Sequence, residues 1–151
     1  MKGKTIWFDM DGTIADLYGV RGWLDALVAE STMPYEQAGV LVNMSQLAKL
    51  LHKAQAVGHK VGIVSWTSKN GSELFNGQVA LAKMCWLHKH LPSVQWDEVR
   101  IVAYGTPKQQ YKHSASDILF DDEQRNREQW QGTAYEPYAI MNVLKELIKG
   151  E

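Results

Sequence analysis

Short runs of apolar residues alternate along this chain with longer segments whose apolar positions recur at helical spacing. The apolar runs predict strands at residues 5–8, 60–64, 100–103 and 117–120, with a short fifth strand at 133–135. Because these runs are nearly unbroken, each predicted strand is buried on both faces, as strands are in a parallel sheet. The alternation therefore predicts an α/β fold in which helices cover both faces of a parallel sheet.

Helix signals occupy the segments between the predicted strands. Asn43 is a candidate N-cap of a long amphipathic helix, and Gly58 follows where such helices commonly end. A second amphipathic segment is stopped by Pro92, and a last one begins near Pro137. The apolar face of each helix is the face expected to pack on the sheet.

The segment between the first strand and the first long helix, residues 16–43, does not fit this alternation. It holds a short helical pattern and then a proline, at Trp23, Leu24, Leu27, Val28 and Pro34. We interpret it as a short, cap-like insertion over the carboxyl ends of the strands. Since the sequence shows no repeat, low-complexity tract or linker, we expect a single domain over residues 1–151.

Composition narrows the cellular setting and the partners. The 151 residues are 45% apolar and 22% charged with a net charge of −1, so no whole-protein field attracts nucleic acid or a membrane. The single Cys85 cannot form an internal disulfide, which fits a reducing compartment. We recognise neither a signal peptide nor a membrane-spanning stretch, and therefore expect a cytoplasmic protein with no membrane partner.

Polar side chains lie at the ends of three predicted strands. Asp9 and Asp11 follow the first, Ser65 ends the second, and Asp121 and Asp122 follow the fourth. Ligands of an open parallel sheet bind outside the carboxyl ends of its strands, so we expect these side chains to converge. Clustered carboxylates beside a hydroxyl are suited to a divalent cation and a phosphate group.

These residues occur in the order of four motifs of a known family. The segment DMDGT at residues 9–13, the strand ending in Ser65, Lys108, and the pair Asp121-Asp122 resemble the motifs of the haloacid dehalogenase (HAD) superfamily. The resemblance covers nearly the whole chain and implies a Rossmann-like, HAD-like sheet with a minimal cap. Most members are Mg²⁺-dependent phosphatases. The dehalogenase branch lacks an Asp at position 11, and mutases need a larger cap, so hydrolysis of a phosphate monoester is favoured.

The resemblance implies a role for each motif residue. Asp9 attacks phosphorus to give an aspartyl-phosphate, while Asp11 protonates the leaving oxygen and later deprotonates the attacking water. The implied Mg²⁺ ligands are Asp9, the backbone carbonyl of Asp11, Asp121 and Asp122, with one of the last two acting directly and the other directly or through water. Bound Mg²⁺ offsets the negative charge of the phosphate.

Ser65 and Lys108 are implied to contact the phosphoryl oxygens. An ordinary strand-end hydroxyl is the alternative for Ser65. Residues 106–109 (Thr-Pro-Lys-Gln) predict a short helix with a capping box, which places Lys108 near the positive end of the helix dipole. A lysine at a locally unfavourable position suggests a partner elsewhere, and Lys69 and Lys112 remain candidates for the same role.

Alternatives exist for the acidic motifs as well. Asp-x-Asp-Gly is also a sequence typical of a solvated turn, and Asp121-Asp122 can cap a helix that starts near Glu123. A HAD-like fold kept as a binding or assembly module is the non-enzymatic hypothesis. It is disfavoured because all four motif carboxylates are present.

The substrate is constrained by the insertion and by the fourth motif. Both are similar to 5′(3′)-deoxyribonucleotidases and to the 3′-phosphatase domains of polynucleotide kinase-phosphatases, although Glu123 stands where those relatives commonly have Arg. We therefore expect a nucleotide or a nucleic-acid 3′-phosphate, with a sugar phosphate or a phosphoprotein as alternatives. Arg21, Trp23 and Trp66 are candidate contacts to an anionic, ring-bearing substrate. Core packing is the alternative for both tryptophans.

Overall fold

The strand Thr5–Phe8 (β1) lies at the centre of a parallel sheet in the computed structural model, which describes residues 3–149. The other strands of this sheet are Lys60–Trp66 (β4), Glu98–Val102 (β5), Ile118–Phe120 (β6) and Thr133–Tyr135 (β7), and a separate antiparallel pair is formed by Ala15–Asp16 (β2) and Gly39–Val40 (β3). The strand order is β5-β4-β1-β6-β7, and all neighbours in it are parallel. The predicted Rossmann-like α/β sheet is confirmed.

Helices connect the strands and cover the sheet. They are Trp23–Val28 (α1), Met33–Gln37 (α2), Met44–Ala56 (α3), Glu73–His90 (α4), Gln124–Gln129 (α5) and Ile140–Lys149 (α6), with 3₁₀ turns at Lys108–Tyr111 and Pro137–Ala139. Within residues 3–149, no helix combines the length and the apolar character needed to cross a membrane.

The side chains of β1 are buried on both faces of the sheet. Ile6 and Phe8 belong to the larger core, which also contains residues of α3 and α6, whereas Trp7 packs with Leu119 and Trp130 in a second cluster. Ile6, Trp7 and Phe8 are all fully buried. The unbroken apolar run in the sequence therefore reflects a strand with helices on each side.

The register of the sheet brings two acidic segments together. Phe8 pairs with Phe120 of β6, and the backbone N–H of Asp9 donates to the carbonyl of Phe120 at 2.9 Å. Asp9 and Asp121 therefore leave the sheet side by side, as the sequence predicts for polar residues after parallel strands.

Several local predictions can be compared with the elements. The strands at 5–8 and 133–135 are confirmed, and the Asn43 side chain caps α3 by accepting a bond from the Gln46 N–H at 2.9 Å. The predicted end of the second strand at Ser65 is wrong, because β4 continues to Trp66. The pairing of β4 with β5 extends through both of these residues and accounts for the longer strand.

The capping box predicted at residues 106–109 is also wrong. The Thr106 hydroxyl donates to the carbonyl of Ala103, three residues upstream. The segment after it is a 3₁₀ turn that begins at Lys108 without a side-chain cap. The Thr106 side chain therefore closes the turn that leaves β5 and does not satisfy a helix N-terminus.

The insertion forms a small layer over the carboxyl edge of the sheet. Tyr35 of α2 and Leu17 pack against Phe75 and Val79 of α4. Helix α1 contributes no buried residue, and its own apolar side chains are partly or largely exposed. The layer is thus anchored through α2, while α1 presents an apolar surface.

Candidate active site

Asp9 lies at the floor of the site, in a loop that folds back on itself after β1. The Thr13 hydroxyl donates to Asp9 Oδ2 at 2.9 Å. Gly12 has a φ of 80°, and a Cβ at this position would lie 2.1 Å from Asp122 Oδ2. The Gly-Thr pair of the motif is therefore explained locally, since glycine permits both the left-handed backbone and the close approach of Asp122.

Three carboxylates meet at this floor. One oxygen each from Asp9, Asp121 and Asp122 lies within 4.8 Å of the other two. Asp121 is fully buried, and its Oδ1 accepts a bond from the Glu123 N–H at 2.9 Å while its Oδ2 accepts one from Asn126 at 3.1 Å. The alternative role of the acidic pair at the start of a helix is thus compatible with clustering.

Lys108 bridges two of these carboxylates. Its ammonium lies 2.9 Å from Asp9 Oδ1 and 2.6 Å from Asp121 Oδ2, and the residue is 3% exposed. Burial disfavours the ammonium, but the charges of Asp9 and Asp121 outweigh burial and hold the pKa of Lys108 above its usual range. Of the candidate lysines, Lys69 instead lies over the ring of Tyr104, and Lys112 donates to the carbonyl of Trp130 at 3.1 Å.

Asp11 is paired with a second lysine. Lys83 of α4 donates to Asp11 Oδ2 at 2.7 Å, to the Ser65 hydroxyl at 2.8 Å and to the carbonyl of Trp66 at 2.7 Å. Burial raises the pKa of Asp11, while the charge and hydrogen bond of Lys83 oppose the rise. The sequence analysis did not identify Lys83.

A signal for Lys83 is nevertheless present in the sequence. Val79, Ala82 and Trp86 define the buried face of α4, and Lys83 falls on that same face by helical spacing. A lysine in a core position requires a buried anionic partner, because an unpaired ammonium is costly to bury. Core-facing charges in predicted helices therefore indicate residues of this kind.

Two carboxyls of the cluster hold protons more readily than a solvated aspartate does. The pKa values of Asp121 and Asp122 are raised to about 6 and about 8, first because burial disfavours the charged forms and second because Asp9 lies close. With Asp11 included, four carboxylates face two ammonium groups, which leaves a formal charge of −2 when all are ionised. Such a site attracts a divalent cation.

The donor set fits Mg²⁺. Asp9, Asp121 and Asp122 offer hard oxygen ligands at close mutual distance, which is the chemistry that Mg²⁺ prefers. Lys83 occupies Oδ2 of the Asp11 side chain, and the resemblance implies that Asp11 contributes its backbone carbonyl as a ligand. These residues would hold the ion.

A cavity of about 520 Å³ opens above the carboxylates. Its floor includes all four motif carboxylates and Lys108, and its walls include Leu17, Tyr18, Trp23, Leu24, Leu27, Val28, Tyr35, Trp66, Thr67, Ser68, Lys69 and Tyr104. One wall is thus built largely from the apolar side chains of the insertion. Other lining residues, including Thr67, Ser68 and Tyr104, follow β4 and β5.

Ser65 does not reach this cavity. It is fully buried, and its hydroxyl is taken by Lys83. The threonine and the serine that line the cavity are Thr67 and Ser68, which follow the end of β4. Thr67 Oγ1 is buried without a hydrogen-bond partner among the described residues.

Of the three predicted substrate contacts, the two tryptophans line the cavity and the arginine does not. Trp23 lies in the apolar wall and packs edge-on against Tyr18, at 5.0 Å between ring centroids. Trp66 is also at the wall, but its indole N–H donates to the carbonyl of Thr106 at 2.8 Å and it is 9% exposed, so packing describes it better than stacking on a ligand. Arg21 is exposed and does not line the cavity.

Among known proteins, similarity to this chain is found in structure and not in sequence. No protein-family model and no curated protein matches this sequence. Among solved structures, the chain is similar to D,D-heptose 1,7-bisphosphate phosphatase from Burkholderia thailandensis, with a TM-score of 0.51 and 16% identity over 83% of this chain and 70% of that chain. At this identity the similarity shows that the chain shares the α/β fold of that structure.

Proposed function

We propose that this protein is a Mg²⁺-dependent phosphomonoester hydrolase that works through an aspartyl-phosphate intermediate. The observation that carries the proposal is the environment of Asp9. Its two carboxylate oxygens are oriented by Lys108 and Thr13, it lies beside Asp121 and Asp122, and it faces an open cavity. A carboxylate fixed in this way is suited to attack phosphorus.

Asp11 is the candidate for proton transfer. It also faces the cavity, two residues from Asp9 in the same tight loop. Because burial raises its pKa, Asp11 holds a proton more readily than a solvated aspartate does. It would donate this proton to the leaving oxygen, and as a carboxylate it would accept one from water in the second step.

Charge and hydrogen-bond donors for the phosphoryl oxygens come from two elements. Lys108 supplies a fixed positive charge at the floor. Thr67 and Ser68, which line the cavity after β4, are the candidate hydrogen-bond donors in place of the predicted Ser65. Donors that are already in place cost no reorganisation when charge develops in the transition state.

Asp9, Asp121 and Asp122 would hold the metal. Bound there, Mg²⁺ would supply charge compensation for the anionic phosphate. The raised pKa values of Asp121 and Asp122 support this assignment, since a nearby cation offsets both the burial and the charge of Asp9 that raise them.

The cavity wall favours a leaving group that carries a ring. Trp23, Leu24, Leu27 and Val28 give the cavity an apolar surface, and Tyr104 also lines it. Such surfaces suit a nucleoside or the terminal base of a nucleic-acid 3′-phosphate. A sugar phosphate remains the second candidate, because the neighbour named above acts on a heptose bisphosphate.

The proposal is tested by phosphate release from p-nitrophenyl phosphate, with and without Mg²⁺. We expect metal-dependent turnover, whereas a binding or assembly module would give none under either condition. A screen over nucleotides, 3′-phosphorylated oligonucleotides, sugar phosphates and phosphopeptides then ranks the substrates. The highest kcat/KM is expected for a nucleotide or a 3′-phosphorylated oligonucleotide.

A further inference from the structure

Lys83 is a fully buried cation that the mechanism above leaves without a role. It is 1% exposed, and its three ammonium protons are matched by three acceptors: Asp11 Oδ2, the Ser65 hydroxyl and the carbonyl of Trp66. The ring of Tyr35 lies 5.2 Å from the ammonium. These three acceptors therefore use all of the hydrogen-bonding capacity of the Lys83 ammonium.

Packing does not explain a lysine at this position. The neighbouring buried positions of α4 are Val79, Ala82 and Trp86, and an apolar residue at 83 would continue that face. Burying an ammonium carries a desolvation cost that its partners must offset, so an apolar residue is commonly as stable or more stable. The lysine is thus better explained by what it holds than by its contribution to the core.

The acceptor that links Lys83 to the site is Asp11. Lys108 engages Asp9 and Asp121, while Lys83 engages Asp11 alone among the four carboxylates. The two buried lysines therefore pair with different carboxylates. Lys108 pairs with two that are proposed to bind metal, and Lys83 pairs with the one that is proposed to transfer protons. Since Lys83 takes Oδ2 of Asp11, Oδ1 is left to carry the transferred proton.

We propose that Lys83 is a positioning residue that holds the Asp11 carboxyl in place for proton transfer to and from the reacting oxygens. The proposal rests on the proposed phosphatase function. In the first step the Asp9–phosphorus bond forms, the bond to the leaving oxygen breaks, and the Asp11 proton moves to that oxygen. In the second step water bonds to phosphorus, the Asp9–phosphorus bond breaks, and Asp11 recovers a proton from the water. Lys83 keeps its contact with Asp11 Oδ2 throughout and stabilises the Asp11 carboxylate between the steps.

The test compares two substrates that differ in their need for a proton. Phenolate is a poor leaving group, with a conjugate-acid pKa of about 10 like that of tyrosine, whereas p-nitrophenolate leaves readily without protonation. The ratio kcat/KM reports the first chemical step for both. Since general acid catalysis contributes roughly 10²–10⁴-fold, we expect Lys83→Met to lower kcat/KM for phenyl phosphate at least about tenfold more than for p-nitrophenyl phosphate. Lys89→Met, at an exposed position of α4, is the control and should change neither value.

A double-mutant cycle with Asp11→Asn separates positioning from a structural role. If Lys83 acts through Asp11, adding Lys83→Met to Asp11→Asn produces little further loss on phenyl phosphate. Equal losses on both substrates, or fully additive losses in the cycle, would overturn the assignment. If circular dichroism shows that Lys83→Met does not fold, the comparison is made with Lys83→Arg. For that variant we expect a smaller loss of kcat/KM with the same substrate selectivity, and equal losses on the two substrates overturn the proposal.

If the wild-type protein hydrolyses neither ester with Mg²⁺, the proposed function fails and the Lys83 role fails with it. If the wild-type protein is active but Lys83→Met lowers kcat/KM equally for both substrates, only the Lys83 role is refuted.

Discussion

At the residue scale, the acidic site is organised by buried cations as much as by its carboxylates. Asp9 and Asp121 share Lys108, and Asp11 has Lys83. The sequence predicted Lys108 because it precedes an acidic strand end, as in the HAD motifs. Lys83 was missed because its partners, Asp11 and Ser65, lie far from it in sequence and converge only when α4 packs on the sheet.

Removal of Lys108 should affect both stability and catalysis. Lys108→Met leaves Asp9 and Asp121 buried without their shared cation, and breaking a buried pair in this way costs about 3–5 kcal/mol. We expect a clear fall in melting temperature in EDTA and a loss of kcat on p-nitrophenyl phosphate. Thermal unfolding and steady-state kinetics on one preparation measure both, and Lys112→Met at the rival lysine is the control for kcat. An unchanged kcat in Lys108→Met would remove it from the site.

The raised carboxylate pKa values predict how metal stabilisation depends on pH. Without metal, folded Asp121 and Asp122 hold protons up to pH values of about 6 and about 8, which an unfolded aspartate releases near pH 4. Their contribution to stability is therefore present at low pH and is lost as the pH rises through this window. Mg²⁺ replaces those protons, so the rise in melting temperature on adding Mg²⁺ should be larger at pH 8 than at pH 6.

Scans in EDTA and in excess Mg²⁺ at each pH measure this difference. A shift that is constant or shrinks with rising pH would contradict the assignment of Asp121 and Asp122 as metal ligands. Asp121→Ala and Asp122→Ala should each reduce the shift, and unequally if one of them is the direct ligand.

At the element scale, strands were easier to predict than the loops that carry the chemistry. The position of β1 and the convergence of Asp9 with Asp121 follow from burial on both faces and from parallel pairing, which are properties of the apolar runs themselves. The predicted end of β4 was wrong because the length of a strand is set by its pairing partner. The predicted helix at 106–109 was wrong because local hydrogen bonds determine the type of turn. Consequently Ser65 was expected in the cavity, where Thr67 lies instead.

The loop after β1 offers a matched pair of glycine substitutions. Gly12 and Gly22 have φ angles of 80° and 74°, but a Cβ at Gly12 would meet Asp122 whereas one at Gly22 meets nothing within 4 Å. Both alanine variants carry backbone strain on the order of 1 kcal/mol. Gly12→Ala should also lose most of the Mg²⁺-induced rise in melting temperature, while Gly22→Ala keeps it. An equal Mg²⁺ response in the two variants would show that Gly12 does not set the approach of Asp122.

At the scale of the whole molecule, the cavity lies where the insertion meets the carboxyl edge of the sheet. The sequence predicted an insertion over the site, and it identified Trp23 but not the cavity wall as a whole. Predicting the cavity wall requires knowing which side of α1 no other element packs against, and helical spacing alone does not determine that side. The exposure of Leu24 and Val28, at 58% and 77%, identifies the open side.

The apolar wall should determine substrate preference more than the rate of chemistry. Leu24 lines the cavity and is 58% exposed, so Leu24→Ala removes contact surface at little cost in stability. We expect a rise of several-fold in KM for the preferred ring-bearing substrate, with an unchanged melting temperature and little change in kcat on p-nitrophenyl phosphate. Arg21→Ala, which alters an exposed residue outside the wall, is the matched control. The preference is wrongly assigned if both variants keep the wild-type substrate ranking.

The central claim, that Asp9 is the nucleophile, is tested most directly by trapping the intermediate. The enzyme is mixed with p-nitrophenyl phosphate and Mg²⁺, quenched in acid within the first turnovers, and analysed by intact-protein and peptide mass spectrometry. We predict one phosphoryl group on Asp9 in the wild-type protein, and neither this adduct nor measurable turnover in folded Asp9→Asn, because an amide cannot form the acyl phosphate. Near-normal turnover by Asp9→Asn, or a phosphoryl group on another residue, would contradict the account.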